Sequence, residues 1–346
     1  VGYVGNHGAR LLGFRDINQP DIGTGIAPYA TQFPWLGYIN YAANIARSNF
    51  NSLQVTLTKR FSRGLAFIAG YTYAHGLDNG SLNRWGLLPQ NSMNPNSEYA
   101  SSDFDIRQRF TLTATYDIPA IKRLGPVLRG WQLNSIAILQ TAQPWPVSDS
   151  TYNFSGSGEG ADRWNFFGNP NDFRSGPLSI PYCSFGDTVS CTQQSQFGTY
   201  SFPQAAADKM GAECTAHAPS LSSLQTAGCY VVGTSVMVPP APGTFGTMGR
   251  NIFRDSGFMN WDLSLFKNFM LKDRFRFQFR AELFNVLNHP LFANPYGASN
   301  GWLNGVDPSN PGSFGAAGGT PDIAAGNNLI GSGSARVMQL GLKILF

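Results

Sequence analysis

Charge is what this sequence has least of. Only 13% of its 346 residues are Asp, Glu, Lys or Arg, about half the roughly 25% usual in soluble domains. Charge this sparse excludes a highly charged disordered chain and a coiled coil. Long apolar runs are missing too. No stretch of about 18 apolar residues occurs, so no transmembrane helix is expected. The 24 basic and 20 acidic residues leave a net charge of +4, which gives no footprint for a nucleic acid. The N-terminus lacks a basic segment followed by an apolar one. The chain opens on Val1, and VGYVGN reads as the end of a strand already under way, so a fragment is expected rather than a mature chain. What is present is neutral: 42% hydrophobic residues, 13% aromatic residues and 39 glycines. A β-rich protein remains, and the low charge asks where its surface is.

The main pattern is period-two alternation, which sends successive side chains to opposite faces of a strand. From Arg274 to Leu283 every odd position is apolar and every even one is polar or charged. Asp103 to Tyr116 behaves alike: Phe104, Ile106, Phe110, Leu112, Ala114 and Tyr116 share one face, interrupted by Gln108. Leu53, Val55 and Leu57 alternate with polar residues, as do Met338, Leu340, Leu342, Ile344 and Phe346. Weaker strands are expected at Val1–Gly5, Leu65–Tyr73, Trp131–Thr141 (apolar on both faces in its middle) and Met259–Leu265. That makes about eight strands of roughly 9–14 residues, against a mode near 5–6 in soluble proteins and about 9–11 for membrane-spanning strands.

Short connections, around Ser62–Gly64, Pro119–Arg129 and Asn268–Lys272, alternate with long ones near 7–47, 75–102, 146–256 and 289–333. In an up-and-down sheet this sorts every long loop to one end. Outer-membrane barrels show that asymmetry, with short periplasmic turns and long extracellular loops. By the same parity the C-terminus lies on the periplasmic side and the first strand runs outward. Eight strands are enough to close a small barrel, or they form the last eight of a larger one.

The polar strand faces carry mostly Thr, Gln, Ser, Asn and Gly rather than Lys and Glu. Aromatics gather near strand ends at Phe61, Tyr71, Tyr73, Tyr116, Trp131, Trp261 and Phe269, as interfacial girdles do. The expected fold is therefore all-β, an antiparallel transmembrane β-barrel with long extracellular loops in the bacterial outer membrane, its apolar faces against lipid. Asp103, Asp105, Arg107 and Arg109 share one expected strand face, and Arg274, Arg276, Arg280 and Glu282 another. An Arg against lipid near the midplane would cost about 2–4 kcal/mol, so these eight are expected to face the lumen. There they pair with one another, or line a conducting or plug-docking wall.

The four cysteines, Cys183, Cys191, Cys214 and Cys229, all fall within 146–256. They suggest two disulfides, among three pairings the sequence does not distinguish; Cys183–Cys191 with Cys214–Cys229 is one. A disulfide-stapled cap over the barrel mouth and a disordered loop are both open readings of this segment. Zinc held by Cys214 and His217 is a weaker alternative, because the spacing lacks paired knuckles. Gly156-Ser157-Gly158-Glu159-Gly160 has no strand before it or helix after it, and reads as loop rather than a phosphate cradle. His7, His75, His217 and His289 are scattered and suggest no triad, so no enzyme and no cofactor are expected.

The segment Ala281-Glu282-Leu283-Phe284-Asn285-Val286-Leu287-Asn288-His289-Pro290-Leu291-Phe292-Ala293-Asn294-Pro295 resembles the late-barrel signature of Oar-like TonB-dependent receptors, which carry a carboxypeptidase-regulatory-like N-terminal domain. Tyr3 to Leu11, Tyr71 to His75 and Asp103 to Phe110 resemble other strands of that family. The resemblance covers most strands and fades in the loops, especially over 148–256. It implies a 22-stranded barrel filled by a plug and energised through TonB, of which this chain is the C-terminal third or so. It also implies an extracellular nutrient ligand such as a glycan. Independently of the family, the alternating last strand ending on Phe346 resembles the C-terminal signal read by the outer-membrane assembly machinery.

Overall fold

The computed structural model describes residues 1–81, 89–119, 129–271, 275–289, 291–295, 305–317, 319 and 335–345. In chain order the first strands are β1 (Gly2–Asp16), β2 (Asn40–Ser62), β3 (Leu65–Asp78), the short β4 (Ala100–Ser101), β5 (Gln108–Asp117) and β6 (Trp131–Gln140). A long excursion follows: β7 (Pro144–Trp145), β8 (Asn165–Phe167), β9 (Tyr182–Phe185), β10 (Val189–Ser195), β11 (Gly198–Ser201), helices α1 (Gln204–His217) and α2 (Leu221–Ala227), β12 (Cys229–Val232), β13 (Ser235–Val238) and β14 (Phe253–Arg254). The chain then returns as β15 (Phe258–Leu271), β16 (Phe275–Phe284) and β17 (Val337–Leu345).

One antiparallel sheet runs β1-β2-β3-β5-β6-β15-β16-β17, with β4 beside β3. Its register aligns the alternation of neighbouring strands. Leu65, Tyr116, Leu133, Leu265, Ala281 and Leu340 stand in one cross-strand row. The adjacent row on the opposite face is Ala66, Thr115, Asn134, Ser264, Glu282 and Gln339. A one-residue slip anywhere would mix these two faces. The apolar face is left open: Leu57 is 60% exposed, Leu340 60% and Leu342 63%. A soluble protein rarely leaves an apolar face of this extent uncovered. The opposite face is polar, mostly neutral but with a few charges, and has an aliphatic patch where Ile68, Ile136 and Ile138 flank Thr113 and Thr111.

Lysines on the apolar face sit at the short-turn end and reach out of it. Lys59 Nζ donates to the Ser62 and Leu65 carbonyls at 2.9 and 3.0 Å. Lys267 Nζ donates to the Arg129 carbonyl and lies 5.1 Å from the Trp131 ring centre. That is how a long cationic side chain keeps its head at an interface. Every connection at this end is short, and the long ones gather at the other.

Two expectations change. The first hairpin is far longer than the alternation indicates. Its paired stretch continues to Asp16 opposite Asn40, through register shifts between Gly8 and Gly13. Arg10 adopts a left-handed φ of 54° there, and such a bulge resets the period of two. The 23 residues of β2 span roughly 75 Å at ~3.3 Å each, against a hydrocarbon core of about 30 Å. Its outer half escapes the two-sided constraint that enforces alternation. Secondly, the strand expected from Asp103 begins at Gln108, because Asp103 to Arg107 are drawn into the contacts described next.

The excursion between β6 and β15 is folded. Six short strands form a second sheet in the order β11-β10-β9-β12-β13-β8. Disulfides Cys183–Cys191 and Cys214–Cys229 staple it, so Cys214 carries no thiolate for zinc. His217 instead bonds the Glu213 carbonyl through Nδ1 at 3.0 Å and packs its ring, tilted by 38°, against Phe167. An aromatic core of Trp145, Trp164, Phe173, Tyr230, Phe253 and Phe314 has 0% exposure throughout. Two of its buried polar atoms are bonded: Trp164 Nε1 donates to Asp149 at 2.8 Å, and the Tyr230 hydroxyl to the Pro308 carbonyl at 2.6 Å. Trp145 Nε1 is buried without a partner among the described residues. Gly246 lets two segments touch, since a Cβ there would lie 1.7 Å from the Arg163 carbonyl oxygen.

Candidate functional site: a polar wall clasped to a stapled cap

The site has three parts: the polar face of the long sheet, the cap built by β7 to β14, and the charged contacts between them. On the polar face Arg109 stands opposite Thr72 and Gln140, Arg276 opposite Met270, Arg280 opposite Phe266 and Gly341, and Glu282 opposite Ser264 and Gln339. Arg280 donates from Nε to Gln278 at 2.6 Å and lies 5.0 Å over the Phe266 ring. Among the described residues the guanidinium is thus held by neutral partners. Arg274 and Phe346 lie outside the described residues.

Asp103, Asp105 and Arg107 stand before β5 and hold the cap. Asp105 is the hub, its side chain fully buried. It accepts from Arg254 Nη2 at 2.6 Å, Arg107 Nε at 2.8 Å and the Gly76 N–H at 2.9 Å, with His75 Nδ1 at 3.2 Å. Arg254 belongs to β14, whose two-residue ladder with β7 forms the base of the cap. Nearby Arg250 meets Asp78 at 2.6 Å and Asp103 at 3.7 Å, and Asn251 donates to Asp103 at 2.5 Å. Higher in the cap Arg163 grips Glu98 with both Nη groups at 2.8 and 2.9 Å, a bidentate geometry that fixes orientation. Asp78 ends β3 and Glu98 lies within the β3–β5 connection, so the pairs made by Arg163, Arg250 and Arg254 join the cap to this part of the wall.

The remaining long connections join the same layer. Ile180 N–H donates to the Phe314 carbonyl at 2.8 Å and Ser148 N–H to that of Val306 at 3.1 Å, bringing in the β16–β17 connection. Asp16, at the end of β1, donates its N–H to Ser92 Oγ at 2.9 Å. The described parts of all four long connections therefore meet over one end of the sheet. Alternation reasoning missed Arg163, Arg250, Arg254, Glu98 and Asp78. Their one sequence signal is scarcity: charge this rare is conspicuous wherever it occurs.

Burial pushes the Asp105 carboxyl up, but the bonds from Arg254, Gly76, Arg107 and His75 outweigh it and hold the group below its ordinary value of 3.8. Its stabilising contribution is present above that value and is lost as pH falls through the lower folded-state one. Burial raises Asp149 to about 6 and also raises Asp255. Their contributions run oppositely, complete below 3.8 and lost as pH rises, for Asp149 through about 6. The cap is expected to be most stable in mild acid, declining on both sides, as thermal unfolding at a series of pH values would show.

Asp105→Asn is expected to weaken cap docking by about 2–3 kcal/mol, because two arginines lose their shared counter-charge. Arg107→Ala, at a side chain 35% exposed, should cost no more than about 1 kcal/mol. Amide exchange across Gly76 and Arg254 measures both, and equal effects would refute the hub.

A family model described as Outer membrane beta barrel domain matches residues 1–339. No curated protein and no solved structure matches.

Proposed function

Because the chain belongs to the outer membrane beta barrel domain family, we propose that it forms pore wall and capped mouth of an Oar-like TonB-dependent receptor. Its place is the bacterial outer membrane. In this reading the polar face lines the passage, and the long connections gather an extracellular nutrient such as a glycan. A plug and TonB act from the periplasmic side, and the chain carries out no catalytic step.

The observation that carries the reading is an open sheet under a built cap. Among the described residues β1 pairs only with β2, and β17 only with β16. Unpaired backbone groups cost several kcal/mol each in hydrocarbon, so spanning sheets close. A self-contained eight-stranded barrel would pair β1 with β17, and no such pairing occurs among the described residues. Completion by further strands fits better, and the cap is more elaborate than a purely structural barrel requires.

Two measurements test this. In unheated gel electrophoresis the 346-residue chain alone should show no compact, heat-modifiable band, whereas a closed eight-stranded barrel would. In cells, cross-linking should capture TonB on the complete protein, and failure to do so under energy-coupled conditions would sink the transporter reading.

A further inference from the structure

Glu159 lies in the glycine-rich cap loop whose Gly156, Gly158 and Gly160 all take positive φ. The loop is pinned, not slack. Ser155 Oγ donates to Asp162 at 2.7 Å and bonds Ser157 Oγ at 2.8 Å, and the Ser155 N–H donates to Asp162 at 2.8 Å. This sets the Glu159 carboxylate at a junction of chain segments. Asp16 approaches from the end of β1, Tyr38 from the β1–β2 connection and Ser92 from the β3–β5 connection. The segments are already joined, since Ser92 Oγ accepts the Asp16 N–H and the Ser92 N–H donates to Gln19 Oε1.

Both Glu159 oxygens are sealed from solvent and neither has a well-formed hydrogen bond among the described residues. By contrast Glu98, Asp105 and Asp149 accept several bonds each. The ionisable groups facing Glu159 are Asp16, Asp162 and the Tyr38 phenol. The nearby Arg163 is committed to Glu98. Among the described residues a carboxylate so placed has no counter-charge.

We propose that Glu159 is a proton-operated latch between the cap and the β1–β2 hairpin, closed when its carboxyl carries a proton and released when it ionises. The protonated group adds no charge to the junction. The ionised group puts a further negative charge beside Asp16 and Asp162 in a desolvated junction, which costs free energy. Burial raises the Glu159 carboxyl to about 7; the Ser92 hydroxyl opposes the rise, and Asp16 and Asp162 add to it. The latch's stabilising contribution is therefore complete below 4.5 and lost as pH rises through about 7. It depends on the junction alone and not on what the barrel transports.

All four cysteines are in disulfides, so two introduced thiols can be spin-labelled specifically. Labels at Thr24→Cys, on the β1–β2 connection, and Ser222→Cys, on α2, report the distance between hairpin and cap. With the protein in outer-membrane vesicles, the distribution should be narrow at about pH 5.5 and broad at about pH 8.5. Its midpoint should lie near the value for Glu159, about 7. Glu159→Gln should stay narrow throughout, and Asp16→Asn should move the midpoint down by removing one neighbouring charge. A wild-type distribution unchanged across this range overturns the latch, as does broadening of Glu159→Gln at the same midpoint. Should Glu159→Gln not assemble, an unmoved midpoint in Asp16→Asn overturns it.

Discussion

An arginine in place of Leu265 is expected to destabilise the membrane-embedded protein by about 2–4 kcal/mol, while an arginine one residue earlier, at Ser264, should cost under about 1 kcal/mol. The two positions share a strand, a depth and a backbone environment. They differ in the face they occupy. Leu265 stands between Leu133 and Ala281 in the apolar row, and Ser264 between Asn134 and Glu282 in the polar one. An arginine at 265 is held mid-strand, without the route to a turn carbonyl that Lys59 and Lys267 have. One at 264 gains Glu282 as a cross-strand partner. Folded fractions in urea titrations from lipid vesicles give both numbers. Similar losses at the two positions would mean that the faces do not meet different solvents.

Loss of both disulfides is the second large effect. Closing loops of 8 and 15 residues limits the unfolded chain by about 2.5 and 3 kcal/mol in the chain-entropy treatment. The double Cys→Ser variant should lose about 5 kcal/mol of cap stability, comparable to the total for a small domain. The cap sheet is short-stranded, and β11 is exposed along its whole length. The long sheet contains no cysteine and should keep its strands. Reduction is thus expected to make the cap protease-sensitive while amide exchange in β3, β5 and β15 stays slow. Simultaneous loss of both parts would show that the wall needs the cap to fold.

The wall was legible because both its faces meet uniform surroundings. In β16, Phe277, Phe279, Ala281 and Leu283 on one side and Arg276, Gln278, Arg280 and Glu282 on the other follow the period of two without exception. β6, apolar on both faces in its middle, was also read as it stands, with Ile136 and Ile138 on the otherwise polar side. Legibility ended where strands left that constraint. The bulge at Arg10 interrupted the period, and β1 and β2 continued beyond the point where the pattern stopped. Asp103-Phe104-Asp105-Ile106-Arg107 presented a false period. It alternates, but Asp105 points to Arg254 and His75, which lie 149 and 30 residues away in the chain. No local pattern encodes such a partner.

The cap was harder still. The cysteines indicated stapling, and the observed pairing was one of three possible. The aromatic core needed Trp145, Trp164, Tyr230, Phe253 and Phe314 to be recognised as one cluster, although Phe314 comes from a different connection. Glu159 was hidden by its neighbours: a glycine-serine run suggests slack chain, whereas the Ser155–Asp162 bonds pin it.

Nitroxide accessibility along β16 tests the central claim most directly. Single labels from Phe277 to Leu283 in the membrane-embedded protein would be probed with oxygen, which concentrates in lipid, and with a polar nickel chelate, which concentrates in water. Positions 277, 279, 281 and 283 should favour oxygen, and 278, 280 and 282 the chelate, in strict alternation. Uniform accessibility, or the opposite phase, would contradict a sheet whose apolar face meets lipid and whose polar face lines an aqueous passage.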